Sequence, residues 1–532
     1  MRKPSMPCVF KWLMPLNILL LLWLGAGGCT SNSPQAENRL IIGLESAPLS
    51  LDPRYALDAA SYRIIQLLFN GLVKKDLHTR LVPDLAERWE TPNDTTYVFH
   101  LRPGVKFHDG RELTAEDVAF TFRSILDPAT KSPKRGSYTT IQRIDVLDPY
   151  TIRFVLKEPF APFLINMVTG IVPRHAAGKA GFAQHPIGTG PFRFSRWEGE
   201  SRIELKANEH YFAGRPKLDR LIYKIIPDQT VRVLELEKGS IDFLQNDIPP
   251  DLLPRLEQNP ALQVRKKVGT NYSYIGFNLQ DPILGKRKVR QALAYAINRP
   301  GIIAHILQGL ALPASSIFPP SHWAYEPRVK TYPYDPAKAR ELLDEAGYPD
   351  PDGEGPLPRF SLTYKTSENA LRRRIAEAIQ EDFKRIGVEI KIRSFEWGTF
   401  FHDIQRGNFQ LYSLTWVGVT DPDIFYYLFH SQSVPPNGAN RGRYHNPVVD
   451  RLLVQGRRTL DLKQRQAIYS MVQKILSEDV PYISLWFSTN VVVMKKGLQG
   501  FVLYPAGDLI SLKDVYWEGE EERAVASPPS AS

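Results

Sequence analysis

Apolar and polar positions along the chain follow two periods, short runs that alternate residue by residue and longer runs with an apolar residue every third or fourth position. Leu40 to Leu44 reads as a strand, Pro48 and Asp52-Pro53 as turns, and Tyr62 to Leu72 as a helical stretch. Tyr97 to Leu101 predicts a strand, Pro103-Gly104 a turn, Val105 to His108 a second strand and Asp109-Gly110 another turn. Thr114 then opens a helix, with Asp117 placed to act as a capping acid and Val118, Phe122 and Ile125 as its buried stripe. A second helix is expected over Pro336 to Ala346, with Asp335 as cap, Pro336 in the first position and Gly347 as its stop. A third runs from Asn369 to Ile386 on Ile375, Ile379 and Phe383, ends at Gly387 and leads into a strand at Val388 to Ile392. Arg287 to Ala296 and Asp461 to Leu476 carry the same helical spacing, and no internal repeat is visible. The mixture predicts an α/β or α+β protein.

A chain of 532 residues with 43% hydrophobic and 23% charged residues has the composition of a globular protein of two or three domains. Its 35 glycines and 43 prolines follow no period, which excludes a collagen-like chain. The net charge of +10 includes Arg2, Lys3 and Lys11, the charged residues of the first 28; without that segment 504 residues carry +7. Basic residues are interleaved with acids, so nucleic acid is not expected as a partner. The runs Lys74-Lys75 and Arg372-Arg373-Arg374 read as solvated loop or helix face and receive no function.

The amino terminus reads as an export signal: basic residues, then an uncharged stretch from Trp12 to Gly28, broken by Pro15 and Asn17 and too short to span a membrane comfortably. Gly27-Gly28-Cys29 resembles a bacterial lipobox, which makes Cys29 the expected lipid attachment site, although Ala26 stands where Leu or Val is usual. Cys8 is the other cysteine and lies inside the segment to be removed, so no internal disulfide is expected. Residues 29–39 read as a tether, and 518–532 have the composition of a disordered tail.

Motifs for catalysis are missing. The sequence has no nucleophile elbow, paired-cysteine site, His-Glu-x-x-His helix, phosphate loop followed by Lys, or dinucleotide fingerprint. Gly188-Thr189-Gly190 is followed at once by Pro191 and reads as a tight turn, and the 11 histidines are scattered. Neither an enzyme, a metal site nor a cofactor is expected.

Ordered motifs run through nearly the whole body: Leu85 to Glu90, Tyr97 to Gly110, Leu113 to Val118, Pro186 to Phe192, Asn278 with Val289 to Leu293, Tyr334-Asp335-Pro336 with Ala346-Gly347-Tyr348, and Trp416 with Asp421-Pro422-Asp423. Together they resemble the peptide/nickel solute-binding proteins of bacteria, extracellular solute-binding family five. The resemblance implies a two-lobed α/β periplasmic-binding-protein clamp of type II with an extra domain on the first lobe. It would place 40–71, 186–273 and 485–517 in the first lobe, 72–185 in the extra domain and 274–484 in the second lobe. It also implies a monomeric receptor for peptides or peptide-like compounds, working with ABC permease subunits and held to a membrane by lipid.

Within the resemblance, Trp416, Gly418, Val419, Thr420 and Asp421 form the ligand loop, Trp397 is an aromatic wall, and Ser46 and Leu51-Asp52-Pro53 mark the edge of the first lobe. Trp486 is expected in the core, and Tyr444 with Asn446-Pro447 as structure. Peptide receptors of the family place an aspartate three residues after the tryptophan to pair the ligand's amine, and here that position is Val419. Two readings stay open: Asp421 takes over the amine, or it is the turn acid before Pro422. A non-peptide cargo such as a metal chelate, opine or oligosaccharide is the alternative that Val419 favours; an exported hydrolase or a chaperone lies further off.

Overall fold

Two long strands organise the fold, Leu262–Phe277 of 16 residues and Tyr482–Lys495 of 14, paired antiparallel at the centre of an 11-stranded sheet. The computed structural model describes residues 38–519 apart from 247 and 354. The export signal, Cys29 and the tail from residue 520 onward lie outside the described residues.

Each long strand changes partners midway. Val492, Val493 and Met494 pair with the strand Phe243–Gln245, whereas Trp486, Phe487 and Ser488 pair with Ala311–Pro313. On the other strand, the stretch from Tyr272 to Phe277 pairs with Leu411–Trp416. The register slips between Val268 and Tyr272 and again between Ser273 and Tyr274, which marks the crossing point. Gly269 is required there, because a Cβ would press on the Asn490 side chain and the Ser488 carbonyl. On one side of the crossing the sheet continues through Arg39–Leu44, Arg220–Ile225, Arg202–Ala207 and Phe192–Glu198; on the other it ends with Phe360–Ser367 and Val388–Phe395. These are the two lobes, each with its own apolar cores.

A four-stranded antiparallel sheet, ordered Ala86–Asn93, Thr96–Leu101, Thr151–Leu156, Ile141–Asp148, carries a separate core under the helix Ala115–Leu126. Thr96–Leu101 and Thr151–Leu156 both alternate half-buried and buried positions, the period-two pattern of a sheet with one packed face. Asp117 accepts the Thr114 N–H at 3.0 Å, as the capping pattern predicts. Val172, Ala176, Ala177 and Phe182 pack with the first-lobe core rather than with this one.

Three expectations need correction. Val105 to His108 forms no strand; one bridge, Lys106 to Glu112, closes a short loop around the Asp109-Gly110 turn. The first helix spans Ala59–Leu68, earlier than Tyr62 to Leu72, because Asp58 caps it by accepting from the Ser61 N–H at 2.8 Å. Gly188-Thr189-Gly190 is more than a turn, since it lies flat against the end of that helix and a Cβ at either glycine would collide with the Leu67 or Leu68 carbonyl.

Candidate ligand-binding cleft

Where the long strands change partners, a cavity of about 350 Å³ opens between the lobes. Glu45 and Arg63 line its first-lobe side, Asn271 and Asn490 its floor, and Arg372, Val417 and Trp486 its second-lobe side. Trp486 belongs to the second-lobe core and is 4% exposed, so it shapes the cavity from within the packing. Val417 is the reverse, an apolar side chain 60% exposed beside the cavity, a pattern that fits a surface kept for a ligand.

The strand Leu411–Trp416 lines the cavity with Ser413, Leu414 and Thr415 and leads into the predicted loop, of which Val417 lines the cavity while Trp416, Gly418, Val419, Thr420 and Asp421 stand outside its lining. The Trp416 ring lies parallel to Tyr274 at 6.2 Å and edge-on to Tyr427 at 6.2 Å. Gly418 adopts φ +66 with nothing near its missing Cβ, so its backbone conformation, not crowding, calls for glycine. Its N–H donates to Asn271 Oδ1 at 3.0 Å and ties the loop to the crossing strands. Val419 is buried in the second-lobe core. Asp421 accepts from Arg465 Nη2 at 2.7 Å and Nη1 at 3.0 Å, so both of its oxygens are engaged within the second lobe. Asp423 sits 2.8 Å from Arg457, yet burial pushes its carboxyl up to about 6.

Thr420 is where the first-lobe side meets this loop. Lys75, on the hairpin strand Val73–Lys75, donates from Nζ to Thr420 Oγ1 at 2.7 Å. Burial lowers the Lys75 pKa, opposed by the nearby charges of Asp508 and Asp421. Asp508 takes a hydrogen bond from Tyr62, and burial raises its carboxyl. The Thr420 carbonyl accepts from His322 Nε2 at 3.1 Å while His322 Nδ1 accepts from the Ala324 N–H at 3.1 Å, the pattern of a neutral imidazole, and burial lowers its pKa in agreement.

Trp397 opens the helix Trp397–Arg406 and is 49% exposed. Its ring stacks on Phe401 at 5.6 Å, and the Arg441 guanidinium lies between Phe401, at 5.3 Å, and Trp416, at 5.0 Å. The two tryptophans are thus joined through Phe401 and Arg441. Ser46 is exposed, one residue beyond the cavity-lining Glu45.

Sequence reasoning missed Lys75, Arg441, Asn271, Tyr62 and Asp508. Lys75 and Arg372 had been read as solvated basic runs, and the structure corrects both: Lys75 bonds across to Thr420, and Arg372 lines the cavity with its guanidinium 5.5 Å from the Trp397 ring. Contacts between the lobes extend to the 72–171 region, where the Ala161 N–H donates to the Arg457 carbonyl at 2.7 Å and Glu158 pairs with Arg458.

Residues 80–436 match the family model for bacterial extracellular solute-binding proteins, family 5. The chain belongs to this family. Among its relatives, the oligopeptide-binding protein AppA of Bacillus subtilis (strain 168) is 32% identical over 534 residues, covering 94% of this chain and 98% of AppA. The dipeptide-binding protein of Escherichia coli (strain K12) is 32% identical over 507 residues, covering 89% of this chain and 94% of that protein. The crystal structure of AppA with a nonapeptide superposes with a TM-score of 0.81 at 31% identity, covering 90% of this chain and 98% of that one. NikZ of Campylobacter jejuni, solved with Ni(L-His), gives 0.81 at 29% identity over 90% of this chain and 99% of its own. This family 5 solute-binding protein therefore has the two-lobed α/β clamp of its relatives, with the 416–423 loop on the second-lobe side of the crossing.

Proposed function

We propose that this solute-binding protein is the receptor of an ATP-driven importer, capturing peptides between its lobes and handing them to a membrane permease. The observation that carries the reading is the cleft: two lobes meet over continuous strands, around a cavity of about 350 Å³ lined from both lobes. Relatives named for dipeptides and oligopeptides, and a solved neighbour holding a nonapeptide, support it. We assign ligand contact to Trp416, Gly418 and Thr420, with Trp397 and Ser46 at the margins. Asp421 we assign to the fold, since Arg465 holds its carboxylate. Segments 40–71, 186–273 and 485–517 would form the first lobe, 72–185 its extra domain and 274–484 the second lobe. Cys29 would carry the lipid that keeps this monomeric receptor beside its permease. The protein itself would do no chemistry.

Mass spectrometry of small molecules released on denaturing the exported chain, purified without added ligand, tests the reading. A family of short peptides is the expected result. A single non-peptide mass, such as a metal chelate of the kind NikZ holds, would overturn it.

A further inference from the structure

The charges around the ligand loop do not cancel. Arg465 is paired with Asp421, Arg457 with Asp423, and the Lys75 ammonium faces Asp508. Arg441 is left over. It is 4% exposed, and among the described residues no carboxylate lies within ion-pair distance of it; a hydrogen bond runs from Nη1 to the Tyr274 hydroxyl at 3.2 Å, and the other groups beside it are neutral tyrosines. Around it Arg441 Nε, Trp416 Nε1 and the hydroxyls of Tyr412 and Tyr482 are all buried with no hydrogen-bond partner among the described residues.

A guanidinium cannot shed its proton, and a buried charge lacking a counter-charge is costly. The aromatic faces of Trp416 and Phe401 attract the guanidinium but supply no counter-charge. Lys75, which Asp508 faces, reaches the same loop, and its contact with Thr420 uses one of the three N–H groups of an ammonium. Among the described residues of the loop and its surroundings no carboxylate is left for an ammonium: Val419 is apolar and buried, Asp421 is committed to Arg465, and Asp508 faces Lys75 and Tyr62, while Glu45 lines the cavity from the first-lobe side.

We propose that the ligand supplies the missing negative charge, so that the end of the peptide seated at the Trp416–Thr420 loop is its carboxylate rather than its free amine. The inference rests on the peptide reading and specifies the direction in which the cleft holds its cargo. The carboxylate would be drawn to the Arg441 side of Trp416, with the Lys75 ammonium at Thr420 of the same loop, and pairing of a carboxylate with a cation in a water-poor cleft is of the strong, charge-assisted kind.

A synthetic pool of short lysine-free peptides, prepared with both ends free, N-acetylated or C-amidated, tests it by capture on the ligand-stripped protein with the bound fraction read by mass. C-amidation is expected to lower capture by at least about tenfold and N-acetylation to change it by less than about threefold. Lys75→Met and Arg441→Leu, checked for native melting, should each shrink the amidation penalty. Two variants are used because Arg441 is buried and Lys75 only half-buried. The proposal is overturned if N-acetylation costs more than C-amidation, or if the amidation penalty persists unchanged in both variants. The peptide reading is decided separately by the masses of the natural ligand, so the two can fail independently.

Discussion

Two aromatic cores of this protein look alike in size and differ in chemistry. Under the four-stranded sheet, Phe154 is a hub, with ring contacts to Phe99 at 5.8 Å, Phe122 at 5.3 Å and Phe163 at 5.5 Å, all four rings fully buried. Beside the cleft the rings are Tyr272, Tyr274, Tyr412, Tyr482 and Trp416, with Tyr274 stacked on Tyr482 at 4.1 Å. The aromatic rings of the first core are mainly phenylalanine, and its buried Tyr138 hydroxyl is satisfied, donating to the Asn166 carbonyl at 2.8 Å. The second carries hydroxyl and indole groups, several without partners, next to an uncompensated guanidinium. Packing alone would favour phenylalanine in both. Polar atoms kept at some cost beside a cleft mark where the molecule is adapted to something other than itself.

The contrast is sharpest in what single substitutions should do. Phe154→Ala empties the middle of the phenylalanine core and should cost about 3–5 kcal/mol of stability, read by denaturant unfolding, with ligand affinity unchanged in the folded fraction. Trp416→Ala should leave the fold intact but weaken cargo binding by at least about tenfold, near 1.4 kcal/mol by calorimetry; unchanged affinity would remove Trp416 from the site. Tyr482→Phe deletes an unpartnered hydroxyl and should alter stability by less than about 1 kcal/mol, with gain as acceptable as loss. A larger loss would show that the hydroxyl is hydrogen-bonded after all and would blur the comparison.

A pH effect separates the cores as well. Because the Asp423 carboxyl is raised in the fold from its usual value near 3.8 to about 6, the folded state holds the proton more tightly than the unfolded chain. Its contribution to stability is therefore greatest below about 3.8 and declines as pH rises to about 6. Asp423→Asn should flatten that part of the stability–pH curve, measured by urea unfolding across the window. A slope that is unchanged would mean that Arg457 keeps the carboxylate ionised.

Local signals carried much of the fold into the sequence. Asp335 and Pro336 announce the helix Pro336–Glu345, in which the Asp335 side chain accepts the Lys338 N–H at 2.9 Å, and the alternation of Thr96–Leu101 shows its buried face. The long strand Leu262–Phe277 was harder to see, since Arg265, Lys266 and Lys267 interrupt its apolar run where it is least covered. The 416–423 loop stands out in the sequence through its motif, but its electrostatics do not. Lys75 meets Thr420 across 345 positions of chain, and Asp421 finds Arg465 on a helix 44 residues later. No periodicity records such pairings, because they depend on how the lobes meet and not on the neighbours of either residue.

The bonds that join the lobes away from the crossing strands also bear on time. With Ala161 tied to Arg457, Glu158 to Arg458 and Lys75 to Thr420, a molecule captured in the cleft would have to wait on the parting of these contacts to escape. Part of the residence time would then be set by how often the protein opens, a property of its own surfaces that every cargo shares. A receptor of that kind can be indiscriminate about what it carries and still impose one step of its own timing on all of it.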